Sequence, residues 1–209
     1  VSTTDTIRTR LDPLYKQQLE LAAHPINTTL SRTAPNDQKA LIEFIALQLE
    51  QGNSLEAAFV KARPILTLMA NDRLGFASQK SRLAWGRVTL STLKELQAQD
   101  PQLCFQSLLK SWPEQQIPAQ KFTAENSRAF QQALIDVYDS ALSGMQQRRP
   151  AEDQPAELNQ VQHEYSVINT VITEQFGESV ARQLIKRNYS EVSGDSATQI
   201  CAAKIMQLE

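Results

Sequence analysis

Apolar residues recur at helical spacing along most of this chain. In the segment that begins at Thr123, apolar side chains return every three or four positions, as expected for one face of a helix with about 100° between residues. The segment from about 78 to 99 carries a broader apolar arc, which predicts a helix with neighbours on more than one side. The apolar residues in question are Phe130, Leu134, Val137, Tyr138, Ala141 and Met145 in the first segment and Leu83, Trp85, Val88, Leu90, Leu93 and Leu96 in the second.

Prolines, glycines and capping residues divide this pattern into separate helices. Asn53 and Glu56 are spaced as in a capping box and predict a helix start. Pro64, inside that helix, predicts a kink or a break. The segment 25–35, with a proline at each end, is predicted to be a loop. Gly177 predicts the end of a helix that carries an apolar seam.

The pattern as a whole predicts an all-α protein, an irregular multi-helix bundle of about seven to nine helices. Apolar and polar residues do not alternate with period two, and no Asn-Gly or Asp-Gly hairpin turn occurs. Six glycines are few, since average usage would give about 15. We interpret 1–209 as a single helical domain, with a hinge predicted in the polar stretch 146–155 between an N-terminal bundle and a C-terminal helical segment.

Composition and charge exclude several functional classes. The chain has 21 Lys and Arg against 23 Asp and Glu, a net charge of −2, so the basic surface expected of a nucleic-acid-binding protein is missing. No stretch has the roughly 20 apolar residues of a membrane span. The chain begins with a polar segment without an initiator Met, which predicts that a preceding segment was removed: a signal sequence, a membrane anchor, or residues left out when the expressed boundary was chosen.

Motifs that carry catalysis or bind cofactors are not found. His24 and His163 are far apart, and the sequence HEYSV at His163 lacks the second histidine of a zinc-protease motif. Neither a phosphate-binding glycine loop nor a nucleophile elbow occurs. We predict no cofactor, no metal and no catalytic residue.

The two cysteines are the most informative chemical feature. Cys104 and Cys201 each lie on the apolar side of a predicted helix. They are predicted to form a disulfide, because a single even pair is typical of proteins that fold in an oxidising compartment. Two buried free thiols are the main alternative, and a reactive or metal-binding cysteine is a third.

Four basic residues are weaker candidates for an interaction site. Arg82 falls inside the apolar arc of its helix, where its stem can pack while its head reaches solvent, or where it can meet a buried carboxylate or an anionic ligand. Arg182, Lys186 and Arg187 cluster late in the chain. They are typical of a solvated helix surface, and the alternative is a patch for an anion or an acidic partner.

These features support three functional hypotheses. The first is a non-enzymatic interaction domain with a protein partner, the exported or periplasm-facing part of a bacterial envelope protein. The second is a cytoplasmic helical adaptor, immunity or regulatory protein with reduced cysteines. The third is a helical enzyme whose site is assembled from scattered residues.

Overall fold

The computed structural model describes residues 13–108, 122–146, 155–186 and 195–209, and it confirms the all-α fold. These residues form ten α-helices and one short 3₁₀ helix, and they contain no strand. No helix among them is long and apolar enough to span a membrane. The α-helices are α1 Pro13–Ala23, α2 Pro25–Thr33, α3 Pro35–Glu50, α4 Leu55–Asn71, α5 Gln79–Gln99, α6 Pro101–Gln106, α7 Ala124–Gln146, α8 Pro155–Phe176, α9 Glu178–Lys186 and α10 Asp195–Leu208, and the 3₁₀ helix is Leu74–Phe76.

The predicted loop at 25–35 is wrong, because most of it is helix α2. His24 caps this helix by accepting a hydrogen bond from the backbone N–H of Ile26, and Pro25 follows at the first helical position, where a proline needs no hydrogen-bond partner. Ile26 and Leu30 are buried on one side of the helix. Pro25 and Pro35, which were interpreted as the ends of a loop, instead begin α2 and α3. The segment therefore contains a helix that was not predicted.

Helix α4 differs from its prediction at its cap, and of the two outcomes predicted at Pro64, a kink or a break, the break does not occur. Its N-cap is Ser54, whose hydroxyl accepts from the N–H of Ala57, while the Asn53 side chain binds Gln48 instead. Pro64 lies inside α4, which continues to Asn71 without a break. Buried side chains on both sides of Pro64 hold the helix together, since Arg63 and Leu66 both lie in the interior.

The largest buried cluster, here called the N-terminal core, joins α1 to α5 with α7. Helix α7 packs against both α2 and α5, so that the stripe predicted from Phe130 onward faces this core. The Asp37 carboxylate on α3 also connects parts of this core. It accepts from the Tyr138 hydroxyl on α7 and from the Arg73 guanidinium after α4, at 2.8 and 3.0 Å. The core includes Leu30, Leu41, Ile45, Leu66, Trp85, Leu134 and Val137.

Two further clusters surround the last helices. The C-terminal core is formed by α6 with α8, α9 and α10, and includes Phe105, Ile172, Leu184 and Ile200. The junction core lies between α5, α6 and α10 and contains Leu93, Leu96, Leu103, Cys104, Cys201 and Ile205. Helix α5 therefore contributes its first half to the N-terminal core and its second half to the junction core. Of the predicted hinge, residues 147–154 lie outside the described residues, so the hinge stays a prediction.

Gly144 permits a close approach between α7 and the 3₁₀ helix. A Cβ atom at this position would overlap the backbone carbonyl oxygen of Phe76, and a backbone atom cannot rotate away as a side chain can. We therefore expect Gly144→Ala to lower the free energy of unfolding by about 1–3 kcal/mol, measured by urea denaturation.

A matched control for this variant is Gly86→Ala on α5. A Cβ atom at Gly86 meets no neighbouring atom within 4 Å, so this substitution should stabilise the protein by about 0.5–1 kcal/mol through helix propensity alone. Equal effects of the two substitutions would contradict the predicted close approach at Gly144.

Candidate functional site

Cys104 and Cys201 are joined by a disulfide inside the junction core. Their Cα atoms lie 5.9 Å apart, and neither residue is exposed to solvent. Cys104 lies in the first turns of α6, a helix that Asp100 caps by accepting from the N–H of Gln102. Cys201 lies in the middle of α10. The bond therefore fastens the last helix of the chain to the segment that follows α5.

Of the four basic candidates, Arg82 and Arg182 are those whose side chains the structure describes. Arg82 is half-buried near the start of α5. Arg182 is exposed on α9 and forms an ion pair at 2.9 Å with Glu178 on the same helix, which neutralises its charge locally. Lys186 is the last residue of α9, and neither its side chain nor Arg187 belongs to the described structure. The basic patch at 182–187 stays a prediction.

A cavity of about 440 Å³ lies between α1, α2, α4 and α7. Its volume is within the range of small-molecule sites. Four of its lining residues are buried and form the inner wall: Ile26, Arg63, Leu66 and Phe130. Glu20, Glu56 and Ser127 line it as well and are exposed, so they form the rim. We call this the α1/α4 cavity.

His24 and Phe59 form an aromatic wall of the α1/α4 cavity. Their rings stack with centroids 3.8 Å apart. The Nδ1 atom of His24 accepts from the Ile26 N–H at 3.3 Å, which requires that this nitrogen carries no proton. Burial lowers the pKa of His24, in agreement with a neutral ring. His24 therefore acts as a neutral acceptor at the start of α2.

Arg63 is the most unusual residue of the inner wall, because it is a cation that is only 7% exposed. Its guanidinium lies between two aromatic rings, 3.8 Å from the centroid of Phe122 and 4.3 Å from that of Phe130. Burial lowers the pKa of Arg63 to about 10, and the Glu95 carboxylate partly opposes this shift. The guanidinium thus keeps its charge at neutral pH.

Only part of this buried cation is paired. Its Nη2 atom donates to the carbonyl oxygen and to the side-chain Oδ1 of Asn126, at 3.2 and 2.8 Å. Its Nη1 atom is buried and has no acceptor among the described residues. A buried polar atom without a partner is rare and calls for an explanation, all the more on a charged group.

Asn126 holds Arg63 in position from the start of α7. Its own side chain donates to the Ser91 hydroxyl at 3.0 Å, and its backbone N–H donates to the hydroxyl of Thr123. Thr123 is in turn fixed by Glu95, which accepts from its hydroxyl at 2.8 Å. The orientation of Arg63 therefore depends on residues from α5 and α7 as well as its own helix.

The sequence did not single out Arg63 or the cavity. The available signal was weak: an arginine beside a proline, with apolar neighbours Ala62 and Leu66 on the same helix. The rings and the acceptor that surround it come from residues about 60 positions later in the chain.

Neither a metal site among the described residues nor similarity to known proteins identifies a function. Among the described residues, no group of three or more His, Cys, Asp or Glu side chains is placed to hold a metal ion. No protein-family model matches this sequence, and no curated protein or solved structure shows significant similarity to it.

The lowered pKa of His24 predicts a loss of stability in mild acid. The unfolded state takes up a proton at this residue near pH 6.5, whereas the folded state takes it up only at lower pH. Stability from this group is therefore present above pH 6.5 and falls as the pH decreases toward the folded pKa. We expect the melting temperature to fall between pH 7.5 and pH 5.

The matched variant for this effect is His24→Asn. Asparagine can cap a helix but does not titrate, so the variant should fold and should show a smaller fall in melting temperature over the same pH range. An unchanged pH dependence in His24→Asn would show that other groups cause the effect.

Proposed function

We propose that this protein is a non-enzymatic helical interaction domain that works in an oxidising compartment, as the exported or periplasm-facing part of a bacterial envelope protein. The observation that carries the proposal is the buried bond between Cys104 and Cys201. Structural disulfides form and persist in oxidising compartments and are rare in the cytosol of ordinary cells.

The use of polar side chains supports an interaction role over catalysis. Ser54, Ser78 and Asp100 cap helices, and Asp37 binds Tyr138 and Arg73 in a connection between helices. These groups are engaged in holding the fold. The partner that we propose is a protein, since the net charge of −2 does not favour nucleic acid.

The thiol state inside cells tests the compartment. Cells that express the full-length natural gene are quenched in acid, and the denatured proteins are labelled with a maleimide polymer that shifts the band on a gel. We expect Cys104 and Cys201 to carry no label before reduction and one label each after it, and we expect to recover the protein in the envelope fraction. Cys104→Ala and Cys201→Ala serve as one-label standards. Two labels without reduction would overturn the proposal in favour of the cytoplasmic adaptor.

Site-specific photocrosslinking in the exported protein tests the interaction. A crosslinking amino acid is placed in turn at exposed positions of α3, α7 and α8. A discrete protein adduct from one face of the molecule, and not from the others, is the expected result. If no face of the molecule gives an adduct, the proposal of a protein partner is contradicted.

A further inference from the structure

We propose that the α1/α4 cavity binds a small apolar molecule that carries one carboxylate, with the carboxylate paired to Arg63. This inference goes beyond the proposed protein interaction and does not depend on the compartment in which the protein works.

Arg63 is a buried cation whose hydrogen-bonding groups are only partly matched by the described residues. A buried cation costs free energy unless its charge and its N–H groups are matched. Asn126 provides two acceptors but no negative charge, and Nη1 has no acceptor among the described residues. The Glu95 carboxylate acts on this cation electrostatically, but its oxygens accept from Thr123. A ligand carboxylate supplies the missing acceptor together with a directly paired charge, and its pairing with arginine is among the strongest hydrogen-bonded contacts in proteins.

The site around this cation is mostly apolar. Apolar side chains such as Ile26, Leu66 and Phe130 form the rest of the buried wall, which suits the apolar body of a ligand. Few charged groups in a mostly apolar cavity are typical of small-molecule sites. Phe130 lines the cavity and also lies against the Arg63 guanidinium, which is 4.3 Å from its ring centroid, so the cation and the apolar wall are adjacent.

The rim does not exclude an anion. Glu20 and Glu56 are exposed to water, where their charges are screened within about 10 Å, and Glu20 lies 3.9 Å from Lys16. Arg63 is buried, so its charge is screened much less. The positive charge on the inner wall therefore favours an anionic ligand. A cationic ligand held by the rim is the alternative that the test must distinguish from it.

The test compares decanoate with decan-1-ol and decylammonium, three probes with the same chain and different head groups. Binding to the whole chain is measured by isothermal titration calorimetry below micelle-forming concentrations. We expect decanoate to bind most tightly and Arg63→Met to weaken it by about tenfold or more, as for the loss of a hydrogen bond to a charged group. The binding of decan-1-ol should change little.

A second pair of variants separates the site from general effects on folding. Ser127→Trp places a large ring on the rim of the cavity and should abolish binding of decanoate and decan-1-ol. Ala129→Trp places the same ring on an exposed position of α7 outside the lining, and it should leave binding unchanged. Tighter binding of decylammonium, equal binding of decanoate to Arg63→Met, or no effect of Ser127→Trp would each overturn the proposal.

Discussion

Replacing both Cys104 and Cys201 by alanine is expected to lower the melting temperature by about 10 °C. The bond joins residues separated by 97 positions, and a closed loop of this length stabilises by up to about 4–5 kcal/mol in the chain-entropy model, usually less in practice. For a protein of this size, each kcal/mol corresponds to about 2–4 °C. Differential scanning calorimetry of the two proteins measures the effect.

The reduced wild-type protein is the control for packing. It keeps both sulfur atoms in the junction core and lacks only the bond, so its melting temperature should lie close to that of the double variant. Reductant should leave the double variant unchanged. If reductant has no effect on the wild type while the alanines destabilise strongly, the sulfur atoms act through packing and not through a bond.

Asn126→Leu is expected to lower the free energy of unfolding by about 3 kcal/mol, because the buried charge of Arg63 loses its side-chain acceptor and keeps only the backbone carbonyl of residue 126. Leucine keeps the branching of the asparagine side chain but has neither donor nor acceptor, so the variant removes the side-chain hydrogen bonds of Asn126. Urea denaturation measures this value for Asn126→Leu, for Arg63→Met and for the double variant.

The double variant decides whether the two residues act together. When Arg63 is already replaced, Asn126 no longer has a buried cation to satisfy, so the second substitution should cost less than it does in the wild type. We expect a coupling energy of about 1–3 kcal/mol. Strictly additive effects would contradict the pairing on which the orientation of Arg63 depends.

Periodicity predicted much of the fold because it reports which side of a helix is buried. Trp85, Val88, Leu93 and Leu96 are buried as the arc on α5 predicts, whereas Leu83 in the same arc is 56% exposed. Met145, at the end of the α7 stripe, is also exposed. Near the ends of helices, burial depends on whether another element passes nearby, and spacing along one helix does not contain this information.

Local chemistry was an incomplete guide to caps, since Asn53 was predicted to begin α4 and Ser54 caps it instead, and it was a poor guide to prolines. Asp100 and Ser78 cap their helices as residues of these types do elsewhere. Pro25 and Pro35 were interpreted as the limits of a loop, but a proline favours the first turn of a helix as readily as it ends the preceding one. The Ile26 and Leu30 contacts with the N-terminal core decide between these outcomes, and such contacts are tertiary.

The candidate sites differ in how much of each could be predicted from the sequence. The cysteine pair was visible because the chain has two cysteines, which allow one intramolecular pairing, and because each lies on the apolar side of a predicted helix. Arg63 was not visible, because its burial and its ring contacts come from Phe122 and Phe130, far along the chain. Its role appears only when α4 and α7 are placed side by side.

The most direct test of the central claim is the intact mass of the full chain purified from an oxidising compartment. The unfolded protein is alkylated before and after reduction. We expect no alkyl group before reduction and two after it. A proteolytic fragment that links Cys104 to Cys201 should occur only in the unreduced sample. Two alkyl groups on unreduced protein would show that the bond is absent and would contradict the proposed compartment.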